Sequence, residues 1–319
     1  MIRGMVEGFG DPYTLFVEPV QHELETNSLE GRFGGIGVQL TRDADGNLIL
    51  LPFPESPALR AGVLEGDRLI AVEELTITPE TSIEDIQAAI RGPEGKKIQI
   101  TVTRAPGFDP IQITILREMI PLPSVTWYLD LEKPQVGIIK INAIAASTPD
   151  EIQSAVADLE SRGATHFVLD LRDNGGGLLT TGIDTARLFL KEGTIIQQQY
   201  RGQEIETFKV DKPGPLANIP LAILVNHGTA SAAEIVAGAL QANQRAPLVG
   251  SSTFGKDTIQ LVFDLTDGSS LHVTAGKWWI PNAPEALAGN GLHPDVTITT
   301  DQADPDSVLR AASQYLLGN

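Results

Sequence analysis

The chain has no cysteine among its 319 residues, and that absence removes disulfides, thiol catalysis and cysteine metal sites together. Basic residues are scarce: 23 Lys and Arg stand against 41 Asp and Glu, a formal charge of −18. Such an excess repels polyanions, so neither a nucleic-acid backbone nor an anionic membrane surface is expected as a partner. No apolar run approaches the length needed to span a bilayer. Met1-Ile2-Arg3 leads directly into a mixed segment with no signal-peptide pattern. What remains is an ordinary globular composition, 42% hydrophobic, with room for about two domains.

The most informative stretch is 226–260, NHGTASAAEIVAGALQANQRAPLVGSSTFGKDTIQ. The apolar run PLAILVN before it has strand length, and His227-Gly228-Thr229-Ala230 suits a sharp turn. Ser231-Ala232-Ala233-Glu234 then has the capping-box pattern, and Ile235, Val236, Ala239 and Leu240 recur at helical spacing. Ser231 therefore sits where strand becomes helix. For a serine in that setting the ordinary role is an N-cap.

A catalytic serine needs a base. None of the five histidines is suited to be one, since His166 and His272 fall inside apolar strand patterns and His227 is too close to Ser231 for anything obvious to orient it. Lysine is the other choice. Lys256 follows Phe254-Gly255 and precedes the alternating run Thr258 to Phe263, so an apolar segment can carry its ammonium indoors, where burial lowers its pKa. A shift of about three units costs roughly 4 kcal/mol, which a folded core can absorb. Gln260, four residues on, can orient the lysine with its amide oxygen. Residues 250–256, GSSTFGK, also fit the first seven positions of a phosphate-binding P-loop. The eighth must be Ser or Thr and is Asp257, and a strand pattern follows where that motif demands a helix.

The segments GTASAAEI, TFGK and DTIQ, with an interval of 25 from Ser231 to Lys256, resemble those of the carboxyl-terminal processing proteases, serine peptidases of family S41 that use a Ser/Lys pair and carry a PDZ domain. Ala233 stands where a serine is common in that family. The resemblance implies a Ser231, Lys256 and Gln260 triad with no metal or cofactor. It also implies an extracytoplasmic protein whose export signal or anchor has been removed, acting on polypeptides with accessible C-termini. The segment Arg172-Asp173-Asn174-Gly175-Gly176-Gly177, at the end of an apolar strand, resembles the family's oxyanion turn. Carried over, the oxyanion donors are the N–H groups of Ala232 and Gly176, with Gly177 the alternative to Gly176.

Three segments follow from this reading. Residues 1–29 are expected to brace the core. Residues 30–118 open on Gly34-Gly35-Ile36-Gly37-Val38, turn at Asp45-Gly46, and continue through SPALRAGVLEGDRLIAV, a helix near DIQAAI and two closing strands. They resemble a PDZ domain of the bacterial kind, which takes a peptide C-terminus as an added strand with its carboxylate near Gly35, Ile36, Gly37 and Val38. Residues 119–319 alternate strands and helices, and the resemblance implies a ClpP/crotonase-like α/β core. Late in that segment WWIPNAPEA keeps the aromatics and proline of a family loop but loses its terminal Gly-Arg, and His293 is assigned to structure. A non-catalytic PDZ scaffold with a relic protease domain is the alternative, to be separated by cleavage of an unfolded protein with Ser231→Ala as control.

Overall fold

Three apolar strands, Val136–Ile141, His166–Asp170 and Leu221–Val225, lie side by side within one sheet. The computed structural model describes residues 2–43, 45–105, 107, 109–281, 289–298 and 306–318, so Asn282 to Ala286 of the WWIPNAPEA loop lie outside the described residues. The chain divides into two units, Met1–Gly31 with Pro123–Asn319, and Arg32–Leu122.

In the larger unit a six-stranded sheet runs in the order Val125–Leu129, Val136–Ile141, His166–Asp170, Leu221–Val225, Leu248–Gly250 and Val296–Thr297. The first pair is antiparallel and the others are parallel. Both faces of its centre are buried, which is why these strands read as continuous apolar runs rather than alternating ones. Ile139, Phe167, Leu169 and Ile223 face the helices Thr148–Ser161, Leu179–Phe189 and Ala232–Ala242. Their neighbours Ile138, Val168, Ala222 and Leu224 face the other way, against Val308 and Ala312 of the closing helix Ser307–Leu316. Alternate residues of each strand thus serve two cores.

A second sheet, of five strands, is only partly legible in the sequence. The hairpin turning at Asp267-Gly268 is there, Thr258–Asp264 against Ser270–Trp279, but Thr194–Tyr200 and Leu15–Val17 also pair with the longer strand. The N-terminal residues are tied to this unit in two places. Thr274 N–H donates to Thr14 Oγ1 at 3.1 Å, and Ala146 N–H donates to Leu29 O at 2.9 Å.

The smaller unit is an antiparallel sheet, Val38–Arg42, Leu48–Pro52, Asp67–Val72, Lys97–Thr103 and Pro110–Leu116, with Leu75–Thr76 at its side and the helix Ile83–Ile90 packed by Ile86 and Ile90. Ser82 caps that helix, accepting the Asp85 N–H at 3.0 Å. The run from Gly34 does not form one continuous strand. Arg32–Gly35 pairs with Glu118–Pro121, and a new strand starts at Val38, because Gly37 turns the chain at φ +70. Among the described residues no helix is long and apolar enough to cross a membrane.

Candidate active site

Three consecutive parallel strands release their C-terminal ends at one place: 171–178 after the third strand of the order above, 226–231 after the fourth and 251–257 after the fifth. In open α/β sheets this is where binding crevices form.

The two turns after the third and fourth strands are clasped together. Asp173 N–H donates to Asn226 Oδ1 and Asn226 Nδ2 donates back to Asp173 Oδ1, each at 2.9 Å. Asn174, fully buried, accepts the Ala230 N–H on its own carbonyl and donates from Nδ2 to Ile141 O at 2.8 Å. The glycines follow from close packing. A Cβ on Gly176 would lie 2.9 Å from the Ser231 Cβ and 3.0 Å from the Ala232 nitrogen, and one on Gly177 would lie 2.1 Å from Ile144 O.

Ser231 has φ 56 and ψ −122. An N-cap residue sits in the extended region, so this serine is no ordinary cap. Its backbone belongs to a region that side-chain-bearing residues avoid at a cost of about 1–3 kcal/mol, the kind of strain found at strand-to-helix turns that expose a nucleophile. The capping box with Glu234 includes a bond from the Ser231 N–H to Glu234 Oε2, 2.8 Å. Among the described residues the Ala232 N–H, at the positive end of the 11-residue helix, has no hydrogen-bond partner.

Glu234 is the residue that sequence reasoning undervalues. It is fully buried and accepts four hydrogen bonds: from Ser231 N–H, Lys256 N–H at 3.0 Å, Gly255 N–H at 2.7 Å and Thr253 Oγ1 at 2.6 Å. Burial pushes its carboxyl up, and those four donors pull the other way. One carboxylate therefore stitches the serine turn to the lysine loop. The capping-box pattern marks its position, but three of its bonds reach across 19 to 22 residues and leave no local signature.

Lys256 is half-buried, and that burial holds its amine below the usual lysine range, opposed by the nearby Glu234 charge. Its Nζ stands 5.2 Å from the centroid of the Tyr13 ring, a residue of the N-terminal segment with no such role in the sequence reading. Ser231, Lys256 and Gln260 all line a cavity of about 550 Å³, with Gly175, Gly176 and Gly177 along another wall.

Two expectations need adjustment. Gln260 does not bond to Lys256: its amide nitrogen donates to Thr258 Oγ1 at 2.9 Å, because residues two apart on a strand share a face. The Gly176 N–H is also engaged, donating to Asn174 Oδ1 at 2.9 Å, whereas the Gly177 N–H has no partner among the described residues. None of the histidines, all of them among the described residues, bonds to Ser231. His293 Nδ1 lies 3.1 Å from Ser252 Oγ, and His227 rests on Phe254.

In the smaller unit a shallow cavity of about 50 Å³ is lined by Ile36, Gly37 and Val38 with Phe33, Leu40 and Ile90; Gly35 is not part of it. The Ile36 and Gly37 N–H groups have no hydrogen-bond partner among the described residues. Arg91 lies over the Phe33 ring, 4.6 Å from its centroid.

A sequence profile of peptidase family S41 matches residues 135–298, and one of the PDZ domain matches residues 52–104. The protein is thus a serine-type peptidase bearing a PDZ domain. It belongs to peptidase family S41, as comparison over most of the chain also shows: the carboxyl-terminal-processing protease of Synechocystis sp. is 36% identical over 301 residues, which cover 93% of this chain and 70% of the relative. The carboxy-terminal processing protease CtpA of Bacillus subtilis is 34% identical over 296 residues, 92% of this chain and 62% of the relative. The chain therefore spans between 62% and 70% of these two relatives' lengths. Among solved structures, the photosystem II D1 C-terminal processing protease superposes with a TM-score of 0.54 at 29% identity, covering 99% of this chain and 84% of that one.

Proposed function

We propose that this chain is an endopeptidase that cleaves polypeptides near their C-termini, with Ser231 as nucleophile and Lys256 as general base. Neutral Lys256 takes the Ser231 Oγ proton as that oxygen attacks the scissile carbonyl carbon. The resulting ammonium gives the proton to the leaving amine, freeing the new N-terminus and leaving an acyl-Ser231 ester. Water then attacks the ester, passing a proton to Lys256, and Ser231 Oγ departs with a proton returned by the lysine. The observation that carries this reading is the strained backbone of Ser231 and a half-buried lysine lining one cavity, both loops held by Glu234.

The oxyanion forms against the Ala232 N–H and the glycine turn. Gly176 packs on Ser231 and Ala232, so it is the nearer donor, but its N–H must first leave Asn174 Oδ1. In this reading the site is at rest and is activated when the turn exchanges this bond for one to the oxyanion. Preorganised donors of this kind are worth about 3–4 kcal/mol each to the transition state. Gln260 keeps its amide oxygen free among the described residues to accept from the lysine ammonium once it forms.

The Ile36 and Gly37 amides receive the carboxylate of a polypeptide C-terminus, with its last apolar side chain against Ile90 and Leu40. The protein works outside the cytoplasm, as the family resemblance implies. The test is degradation of an unfolded casein-type substrate by the parent and by Ser231→Ala and Lys256→Ala. If either variant kept the parent's rate, the mechanism would fail. Tight peptide binding without turnover would instead favour a scaffold.

A further inference from the structure

The cavity beside Ser231 does not end at Lys256. A second cavity of about 430 Å³ shares Glu25, Leu29, Leu178, Val262 and His272 with the first, so the two adjoin. Its apolar floor is completed by Ala146. At its rim stand three carboxylates, Glu25, Glu30 and Asp264, and among the described residues no lysine or arginine lines it. The rim's remaining ionisable side chains are His22, whose Nε2 lies 3.0 Å from Asp264 Oδ1, and His272, whose Nε2 lies 3.9 Å from Glu25 Oε2. Burial holds the His272 imidazole below its ordinary pKa, helped by His22 and Lys256 and opposed by Glu25, so it brings little positive charge to the rim at neutral pH.

The strand Thr258–Asp264 connects the two cavities. It pairs with Ser270–Trp279 alone, leaving its other edge without a strand among the described residues. Thr258 lines the first cavity and Val262 lines both. Four residue steps separate them, about 13 Å of extended chain. A polypeptide laid along this edge with its scissile bond at Ser231 therefore reaches the second cavity with a side chain some two to four residues away.

We infer that the second cavity is a side-chain subsite of the peptidase and that it selects lysine or arginine in the substrate. The aliphatic stem lies on Leu29, Leu178 and Val262, and the cationic head reaches Glu25 and Asp264, a division of labour that long basic side chains adopt readily. A glutamate at the same place meets the like charges of Glu25 and Asp264. This assignment rests on the reading of Ser231 as the nucleophile. Because Asp264 is largely exposed, each charge pair contributes modestly, and the discrimination between Lys and Glu is about tenfold in kcat/KM.

The experiment uses the whole chain and a set of fluorogenic peptides that differ only by Lys, norleucine or Glu at each of four positions on either side of the scissile bond. The expected result is one position at which Lys exceeds Glu about tenfold, with norleucine between them. That ratio falls toward one in Glu25→Gln/Asp264→Asn and inverts in Glu25→Lys. Added salt lowers the ratio in the parent, since the pairs are screened. Turnover that depends on Ser231 but shows no Lys-over-Glu preference at any position, or a preference that the variants leave intact, overturns the subsite. Turnover that persists in Ser231→Ala is a different result: it overturns the assignment of the nucleophile and takes the subsite with it.

Discussion

Gly37 and Ser231 both bend the backbone to positive φ beside amide groups that have no partner among the described residues, and they do so as different residue types. In the smaller unit the bend is Gly37, φ +70, beside the unpartnered N–H groups of Ile36 and Gly37. In the larger unit it is Ser231, φ 56, followed by the unpartnered Ala232 N–H. Binding a carboxylate needs only the amides, so glycine serves at no steric cost. A reacting site needs a side chain at the bend itself, so the strain has to be held by the surroundings. Glu234, accepting from the Ser231 and Lys256 amides at once, is what holds it.

The comparison breaks most decisively at Ser231, the proposed nucleophile. Ser231→Ala should lower kcat by about 10⁴-fold or more while the protein stays folded and its smaller unit still binds peptide, as measured by turnover and by peptide titration of the same sample. Undiminished turnover would reduce Ser231 to a strained but idle turn.

Next comes the support. Glu234→Gln replaces one acceptor oxygen with an amide NH₂ that must face donors already in place. It should cost about 3 kcal/mol of stability and, by loosening both loops, at least tenfold in kcat. Thermal unfolding and steady-state kinetics check the two parts separately. A variant as stable as the parent would mean that Glu234 fills space rather than binding the loops.

The lysine adds a pH signature that the glycine bend cannot have. The folded amine is held below 10.5, so the neutral, reactive form appears on raising pH through that lowered value, and kcat/KM climbs about tenfold per pH unit beneath it. Stability moves the same way. A depressed folded pKa favours the fold above the unfolded lysine's value, and that contribution is lost as pH falls through the folded pKa. Lys256→Met should therefore be inactive yet more stable than the parent at neutral pH, with an advantage that shrinks as pH rises toward 10.5. A flat pH–rate profile would remove the lysine from the mechanism.

What the sequence makes legible follows the same division. Strand runs such as 166–171, the helix after Ser231 and the glycine turn at 175–177 are local patterns, readable in order and type. The split at Gly37 is not, because a glycine run announces freedom to turn without saying where the turn falls. Glu234 reads as a cap and not as a staple, since Thr253, Gly255 and Lys256 meet it only after the chain folds back across the sheet. Spacing alone assigns Gln260 to the lysine, and its neighbour Thr258 takes the bond. Tyr13 beside Lys256 depends on pairing across the whole chain, Leu15–Val17 against Ser270–Trp279, for which no spacing rule exists.

The smallest effect tests the comparison most directly, because it exchanges the two residue types. Gly37→Ala puts a Cβ at φ +70 and 2.6 Å from the Ser56 Cβ, so it should destabilise the smaller unit by about 1–2 kcal/mol and weaken peptide binding. Ser231→Gly does the opposite. It removes the side chain that forces the strained bend, and should raise stability by a few tenths to about 1 kcal/mol over Ser231→Ala, which keeps the Cβ. The glycine variant also gains freedom in the unfolded chain, which trims the benefit, so the comparison with alanine has to be made in one denaturant series. If Ser231→Gly were instead less stable than Ser231→Ala, the bend at 231 would carry no strain, and the difference between a binding turn and a reacting turn would lie in the side chain alone.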